Sequence, residues 1–280
     1  MAAPDLGEDR WRPARDAAAG FIIEGEQRIW EAYADGLDSW LDGVRRNVFS
    51  GRGLARIVDP LGIFALGQRF ARMLVDPVVE AVRWIIGGAF ARAGLPDVAF
   101  SARPWVANHL ATVGNYLANT PDWLFDQIRT DLQAGIESGA SIPALAEQVE
   151  ARLLRGDADV WRDRGTVVAR TEALSAYNGG TDEAMAVLSR ELGVQLEKIW
   201  LASMDTRTRE THLLADGQRV PMGVPFIVGG YPAMVPGDEQ LPPEERIQCR
   251  CSVLYVEPGE DVPLNNRGMR GGRDAPGRGR

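Results

Sequence analysis

The chain has 280 residues, a formal net charge of -8 and only two cysteines. Its 45% hydrophobic content can fill one large or two ordinary domain cores, which excludes a chain that is disordered throughout. The acidic balance argues against a general nucleic-acid coat, and the cysteine count excludes a disulfide-dense secreted scaffold and fits a reducing cytoplasm. No apolar run opens the chain and no stretch is apolar enough to span a bilayer, so we expect neither a signal peptide nor stable membrane insertion.

The first half of the chain is predicted to be helical. Apolar residues recur three or four positions apart from Phe21 to Val48, and a basic amphipathic helix is predicted from Phe70 to Phe90. Several Gly and Pro residues make the intervening segment, 50–68, a poor continuous helix. The basic amphipathic stretch from Leu61 to Phe90 could lie on a membrane surface or on a partner protein, but packing against other helices of the same chain is the favoured interpretation.

Further helices are predicted in the centre of the chain. The tripeptide Thr-Pro-Asp at 120–122 is a helix start, because Thr caps, Pro suits the first helical position and Asp complements the helix dipole. Gly139 is expected to end this helix and Ser141 to begin the next one. A charged connector over 155–164 then leads to a helix predicted over 166–192.

After Gly193 the pattern changes to short strands and turns. Asp216–Gly217 is a hairpin-type dipeptide, and Pro and Gly recur between Pro221 and Pro243. The predicted strands cover 195–202, 219–220, 226–228 and 252–256. This pattern is typical of a small, loop-rich α+β unit.

The predicted fold class is therefore α+β, with mainly helical N-terminal and central regions followed by the small loop-rich unit. We divide the chain into a helical N-terminal region for partner docking, 1–105, and a domain over 106–258. A disordered tail rich in Gly and Arg follows over 259–280.

The C-terminal unit contains residue types that bind metal ions. His212, Cys249 and Cys251 supply one imidazole and two thiols, which suit a borderline-soft ion such as zinc, and Asp205 or Asp216 is a candidate fourth ligand. We expect the two cysteines to lie in a turn or bulge in order to share one ion. The alternative is that both thiols are small buried hydrophobic groups and the histidine is a hydrogen-bonded structural residue.

Other readings of the same residues stay open. A Cys-His hydrolase would use a thiolate nucleophile and His212 as base, although neither cysteine has a recognisable nucleophile signature. Asp205, Arg207 and Arg209 could grip phosphate, but pairing with each other to fix a turn is favoured. The helical tripeptide Arg-Thr-Glu at 170–172 is interpreted as structural, pinning its helix to the following unit.

The C-terminal tail is locally basic. DNA contact through it would be weak and independent of sequence, and the alternative is a solvated terminus. The arginines that would make this contact are Arg267, Arg270, Arg273, Arg278 and Arg280.

Several segments, taken in order, resemble the head-morphogenesis family of tailed phages, also called phage Mu F-like. They are ARTEALSAYN from Ala169, KIWLAS from Lys198, DTRTRETH from Asp205, DGQRVP from Asp216, PGD from Pro236 and CRC from Cys249. The resemblance covers about 106–257, so the domain over 106–258 is identified as the Mu F-like domain.

The resemblance implies a non-enzymatic minor head protein that is part of the virion and is assembled in the bacterial cytoplasm. It implies a place inside the head or at the portal vertex, with the portal protein and the major capsid or scaffolding protein as partners. Packaged viral DNA is a further candidate partner, through the basic tail. The alternative is an enzyme fused to a head module, either a Cys-dependent maturation protease or a nuclease- or transferase-like effector. The family pattern falls on Arg170, Thr171, Glu172, Asp205, Arg207, His212, Asp216, Gly217, Cys249 and Cys251, and we add Arg209 to its structural motif.

Overall fold

The computed structural model describes residues 8–48, 68–95, 103–118, 158–203, 205–260 and 262, together with isolated positions between 130 and 144. Its α+β content confirms the predicted fold class. The elements are α1 (Glu8–Val48), a π-helical turn (Ala71–Val75) that continues into α2 (Asp76–Arg92), α3 (Pro104–Ala118), α4 (Ala158–Leu192), β1 (Glu197–Leu201), α5 (Glu210–Ala215), β2 (Arg219–Pro221), β3 (Phe226–Val228), β4 (Tyr231–Ala233), α6 (Pro243–Arg246) and β5 (Ser252–Val256).

The described residues form two compact units whose segments interleave along the chain. The composite unit contains the described residues of Met1–Glu26, Trp84–Val106 and Arg170–Arg280. The helical unit contains those of Gln27–Arg83 and Ala107–Ala169. Residues of the predicted N-terminal region therefore occur in both units, and the division of the chain at residues 105 and 258 stays a prediction.

The helical unit has an apolar core. Trp40 of α1 meets Phe70 edge to face, with ring centroids 5.4 Å apart, and Gly165 of α4 gives Tyr33 room to approach the helix backbone. Such helix faces are what an apolar repeat of three or four residues specifies. The buried apolar residues of this unit include Ile29, Tyr33, Leu37, Trp40, Phe70, Leu74, Val78, Val82, Val113 and Leu117.

The predicted helix over 70–90 is confirmed, and its apolar face is buried within the chain. Within the composite unit, Phe21 of α1 stacks on Trp84 of α2 with ring centroids 4.7 Å apart. Arg92 lies over the Phe21 ring at 4.2 Å, so the far end of α2 also packs on α1. The favoured interpretation, in which this helix packs against another helix of the same chain, is therefore confirmed.

The predicted connector over 155–164 was wrong from residue 158 onward, because α4 already begins at Ala158. Charged residues alone do not stop a helix, and this run lacks the proline that would. The helix starting at 120–122 lies outside the described residues. At the next predicted boundary, Gly139 has a φ of +74° and the backbone N–H of Ala144 donates to Ser141 Oγ at 3.4 Å, as expected for a helix end followed by a helix start.

The composite unit contains a small antiparallel sheet of order β2-β1-β5, in which Trp200 pairs with Val253. The predicted strands are confirmed within one or two residues at their ends. The Asp216–Gly217 dipeptide does not form a β-hairpin turn. Helix α5 separates β1 from β2 along the chain, and the dipeptide forms the turn that follows α5. A hairpin does connect β3 to β4, through Gly229 and Gly230, both with positive φ.

No helix among the described segments combines the length and the apolar character needed to cross a membrane. The Arg-rich tail lies outside the described residues.

Candidate functional site

One face of α4 holds the loops of the composite unit by polar contacts. Ser175 Oγ donates to Gly237 O at 2.8 Å, and Asn178 Nδ2 donates to the carbonyls of Pro236 and Cys251 at 3.0 and 3.1 Å. These positions are three residues apart, so they project from the same side of the helix. The conspicuous segment from Ala169 to Asn178 therefore positions two separate loops.

The Arg-Thr-Glu tripeptide contributes to the same attachment. Glu172 accepts hydrogen bonds from Arg246 at 3.0 and 2.9 Å, and Thr171 Oγ1 accepts from the backbone N–H of Gln248 at 3.0 Å. Arg170 instead pairs with Glu26 at 3.7 Å. Thr171 and Glu172 thus anchor the turn that leads into the two cysteines.

Three potential metal ligands converge within the composite unit. His212 Nδ1 lies 3.3 Å from Cys251 Sγ and 3.6 Å from Cys249 Sγ, and the three ligand atoms all lie within 4.8 Å of one another. His212 comes from α5, whereas both cysteines come from the irregular segment between α6 and β5. All three side chains are buried, with at most 3% of each residue exposed.

Glu245 lies behind the histidine and was not predicted. His212 Nε2 is 3.0 Å from Glu245 Oε2, which also accepts a hydrogen bond from Thr211 Oγ1 at 2.8 Å. A Cβ at position 229 would lie 2.5 Å from Glu245 Oε1, so Gly229 provides the space for this carboxylate. Because an ionised carboxylate only accepts hydrogen bonds, Nε2 is assigned the hydrogen and Nδ1 a lone pair directed toward the sulfurs.

An apolar shell surrounds these groups. The His212 ring packs edge-on against Trp200, with centroids 5.6 Å apart, and Trp200 in turn meets Phe226. The same buried cluster contains Leu174, Trp200, Ala202, Ala215, Phe226, Val228, Ala233, Leu241, Cys249 and Cys251. Water has little access to a site enclosed in this way.

The two thiols have unlike protonation properties. A hydrogen bond from the Cys251 side chain lowers the pKa of Cys249, against the opposing effect of burial. The same hydrogen bond, followed by burial, raises the pKa of Cys251 far above its usual value.

Asp205 lies outside this group of ligands. Its carboxylate accepts from Arg250 at 2.6 Å and from the backbone N–H of Arg207 at 2.9 Å, which closes a turn. Arg209 donates to the carbonyls of Glu245 and Ile247, at 3.4 and 2.5 Å. These contacts tie the 205–209 loop to the segment that carries the cysteines.

Asp216 and Gly217 also have structural contacts. Asp216 Oδ1 accepts from the backbone N–H of Ala202 at 2.8 Å, and Gly217, with φ +81°, donates to Trp200 O at 2.8 Å. Asp216 therefore fixes the end of β1, and its hydrogen-bonded oxygen is directed to the strand.

Lys198 is the only lysine in the sequence, and its role was not predicted. It is fully buried, donates to Met234 O at 2.7 Å and lies 3.5 Å from Asp182 Oδ1, which also accepts from Tyr255 at 2.9 Å. Burial raises the pKa of Asp182 and lowers that of Lys198, while their mutual attraction opposes both shifts. A lone lysine in an otherwise arginine-based chain was the available sequence signal.

Two kinds of chemistry fit the buried His-Cys group. The order Cys251, His212, Glu245 resembles a nucleophile, a base and an orienting acid. A catalytic thiol, however, needs access for substrate, whereas Cys249 and Cys251 are only 3% and 1% exposed. Holding a soft metal ion requires neither access nor a mobile substrate.

Comparison with known proteins gives one family and two relatives. Residues 126–254 match the family described as "Phage Mu protein F like protein". Minor head protein GP7 of Bacillus phage SPP1 is 28% identical over 139 residues, which are 49% of this chain and 42% of that protein. NAD(+)-arginine ADP-ribosyltransferase EFV of Enterococcus faecalis is 26% identical over 138 residues, which are 49% of this chain and 27% of that protein.

The matched segments thus span less than half the length of either relative. No solved structure gives a significant match to the chain.

Proposed function

We propose that this chain, whose residues 126–254 match the phage Mu F-like family, is a non-enzymatic minor head protein of the virion. In this role it joins the head inside the capsid or at the portal vertex during assembly. Its partners are the portal protein and the major capsid or scaffolding protein.

One observation carries the non-enzymatic part of the proposal. The described residues of the family pattern make contacts inside the composite unit, and the chemically reactive ones are buried. Thr171, Glu172 and Asp216 satisfy backbone or side-chain groups of their own unit. A pattern used in this way supports a rigid assembly module.

The minor head function is tested in the phage that encodes the chain. A nonsense mutation in the gene is expected to yield few infectious particles, and supply of the intact protein in trans should restore the titre. Mass spectrometry of purified wild-type virions should detect the protein. Its absence from virions, together with a normal titre for the nonsense mutant, would overturn the proposal.

The portal association has its own test. The tagged chain, expressed with the portal and capsid proteins of the same phage, should co-purify with the portal. Because α1 supplies buried residues, docking is tested with a surface variant of that helix, Ile23→Ser/Trp30→Ser, whose two positions are exposed. This variant is expected to lose the interaction if the helical N-terminal region docks the partner. Co-purification with the capsid protein alone would instead indicate that the chain contacts the capsid interior.

The tail provides a separate DNA test. Removing Arg267 to Arg280 should flatten the dependence of DNA binding on salt, because each phosphate contact releases counterions. An unchanged slope would remove DNA from the set of partners.

A Cys-dependent activity is the second candidate, because Cys251, His212 and Glu245 lie in hydrogen-bonding order. It requires turnover of a peptide, nucleic acid or nucleotide that Cys251→Ser abolishes without changing stability. The non-enzymatic proposal expects no such turnover. Finding it would establish the enzyme.

A further inference from the structure

We propose that His212 Nδ1, Cys249 Sγ and Cys251 Sγ bind one Zn²⁺ ion, which cross-links two parts of the composite unit. The three ligand atoms are brought together by elements separated by more than thirty residues in sequence, α5 and the segment after α6. We assign the site a structural role, because all three ligands are buried.

The two distances between His212 Nδ1 and the cysteine sulfurs fit one shared ion. With Zn–S bonds of about 2.3 Å and Zn–N bonds of about 2.0 Å, a tetrahedral ion places sulfur and nitrogen ligands about 3.5 Å apart. The two observed separations between Nδ1 and sulfur, 3.3 and 3.6 Å, lie on either side of that value. No large rearrangement is needed for one ion to contact all three atoms.

The histidine is already in the tautomer that a metal requires. Glu245 accepts the Nε2 hydrogen and is itself held by Thr211, so the lone pair of Nδ1 is directed toward the cysteines. A metal-bound imidazole usually donates its other N–H to a carboxylate or carbonyl in this way. Glu245 is therefore a positioning residue, which touches the ligand rather than the ion.

A bound cation would give the histidine and both sulfurs one common partner. Nδ1 has one lone pair, so only one of the two thiols can donate a good hydrogen bond to it. Deprotonating both thiols in an apolar cluster without a cation would bury uncompensated charge. A divalent cation balances two thiolates and uses the same lone pair.

The donor set selects the type of metal. Two thiolates and an imidazole favour zinc over magnesium or calcium, which prefer oxygen ligands. Among the described residues no fourth Cys, His or carboxylate belongs to the group. These three residues therefore supply three of the four ligands of a tetrahedral zinc site.

Metal content of the full-length protein is the first test. Protein expressed with zinc supplementation should contain about one zinc ion per chain by elemental analysis. A strong chelator should lower Tm by about 10 °C or more, and Zn²⁺ but not Mg²⁺ should restore it. Replacing zinc by Co²⁺ should give the visible bands of a tetrahedral ion and a thiolate charge-transfer band.

Three variants distinguish a ligand from a merely buried residue. Cys251→Ser should lose the zinc and the Co²⁺ thiolate band, while Glu245→Gln should keep the site but weaken zinc affinity about 10- to 100-fold. Leu174→Ala is the matched control, since it lies in the same buried cluster but carries no ligand. It should lower Tm while retaining a full equivalent of zinc.

Two outcomes would overturn the proposal, and the first needs no variant. Wild-type protein that contains less than about a tenth of an equivalent of zinc and gives no Co²⁺ thiolate band would overturn the proposal. Zinc retained at a full equivalent in Cys251→Ser would also overturn it. Neither result bears on the minor head function, which is measured by phage titre and virion content.

Discussion

The helical unit and the composite unit are stabilised in different ways. The helical unit depends on apolar faces such as those of Trp40, Phe70 and Leu74, which are buried against one another. The composite unit has an apolar cluster of its own and, in addition, buried polar groups, among them Asn178, Lys198 and Glu172, that hold loops in place. Directional bonds thus add to non-directional packing in the composite unit.

This difference predicts how each unit tolerates substitution. Apolar packing can adjust to a change of shape, whereas a buried polar group left without its partner keeps the full cost of its lost hydration. Removing one partner of a buried polar pair in the composite unit should therefore lower the free energy of unfolding at least as much as removing several buried methylene groups from the helical unit.

The largest effect is expected for Lys198→Met. The change preserves length but leaves Asp182 buried without its cation, and we expect the free energy of unfolding to fall by about 4 kcal/mol in a denaturant titration. The double variant Lys198→Met/Asp182→Asn leaves no charge unpaired and should recover part of this loss. A loss below about 1 kcal/mol in the single variant would contradict the assigned ion pair.

The corresponding change in the helical unit is Leu74→Ala. Leu74 is fully buried, and the resulting cavity should cost about 3 kcal/mol, measured in the same titration. Leu74→Met, which conserves volume, is the control and should cost about 1 kcal/mol. If Leu74→Ala were neutral, the apolar description of this unit would fail.

Two tyrosines make the contrast directly. Tyr255 donates a hydrogen bond to Asp182, so Tyr255→Phe should cost about 2 kcal/mol. The buried hydroxyl of Tyr33 has no hydrogen-bond partner in the described part of the chain, so Tyr33→Phe should be neutral or slightly stabilising. Thermal unfolding of the two variants should be measured side by side. A larger loss of stability for Tyr33→Phe than for Tyr255→Phe would contradict this prediction.

The smallest effect is expected at alkaline pH. Burial, assisted by the Asp182 carboxylate, raises the pKa of Tyr255 well above its usual value near 10. The folded chain then keeps this proton after the unfolded chain has lost it, so the stability is fully present below about pH 10 and declines above it. The decline is about 1.4 kcal/mol per pH unit for this group, and Tyr255→Phe should remove that part of the slope.

The long helices and most strands were predictable because their signals are local. An apolar repeat set the stripe through Ile29, Tyr33 and Leu37, and the limits of 226–228 and 252–256 agree with β3 and β5. Strand β4 was missed although Val228 and Tyr231 flank a two-glycine turn, because Pro232 argues against a strand. It is tolerated there in a sheet of two strands.

The site was only partly predictable for a related reason. Residue chemistry singled out His212 and the cysteines, and the structure places these three side chains together. Nothing local distinguishes Glu245 from Glu244, yet the first is buried against His212 and the second is exposed. Which member of a charged pair faces inward depends on tertiary contacts that a single sequence does not display.

The contacts of Phe21 and Ile22 in the composite unit affect how the chain can fold during its synthesis. Phe21 meets Trp84 and Tyr177, and Ile22 packs on the cluster around Trp200, so residues made at the start of translation depend on partners made much later. A nascent chain that ends before Arg170 carries these side chains without those partners, in the state where aggregation and chaperone binding compete with folding. By the same reasoning, a fragment cut to the family boundaries, 126–254, would lack a layer of its own core, so expression of the module should begin with α1.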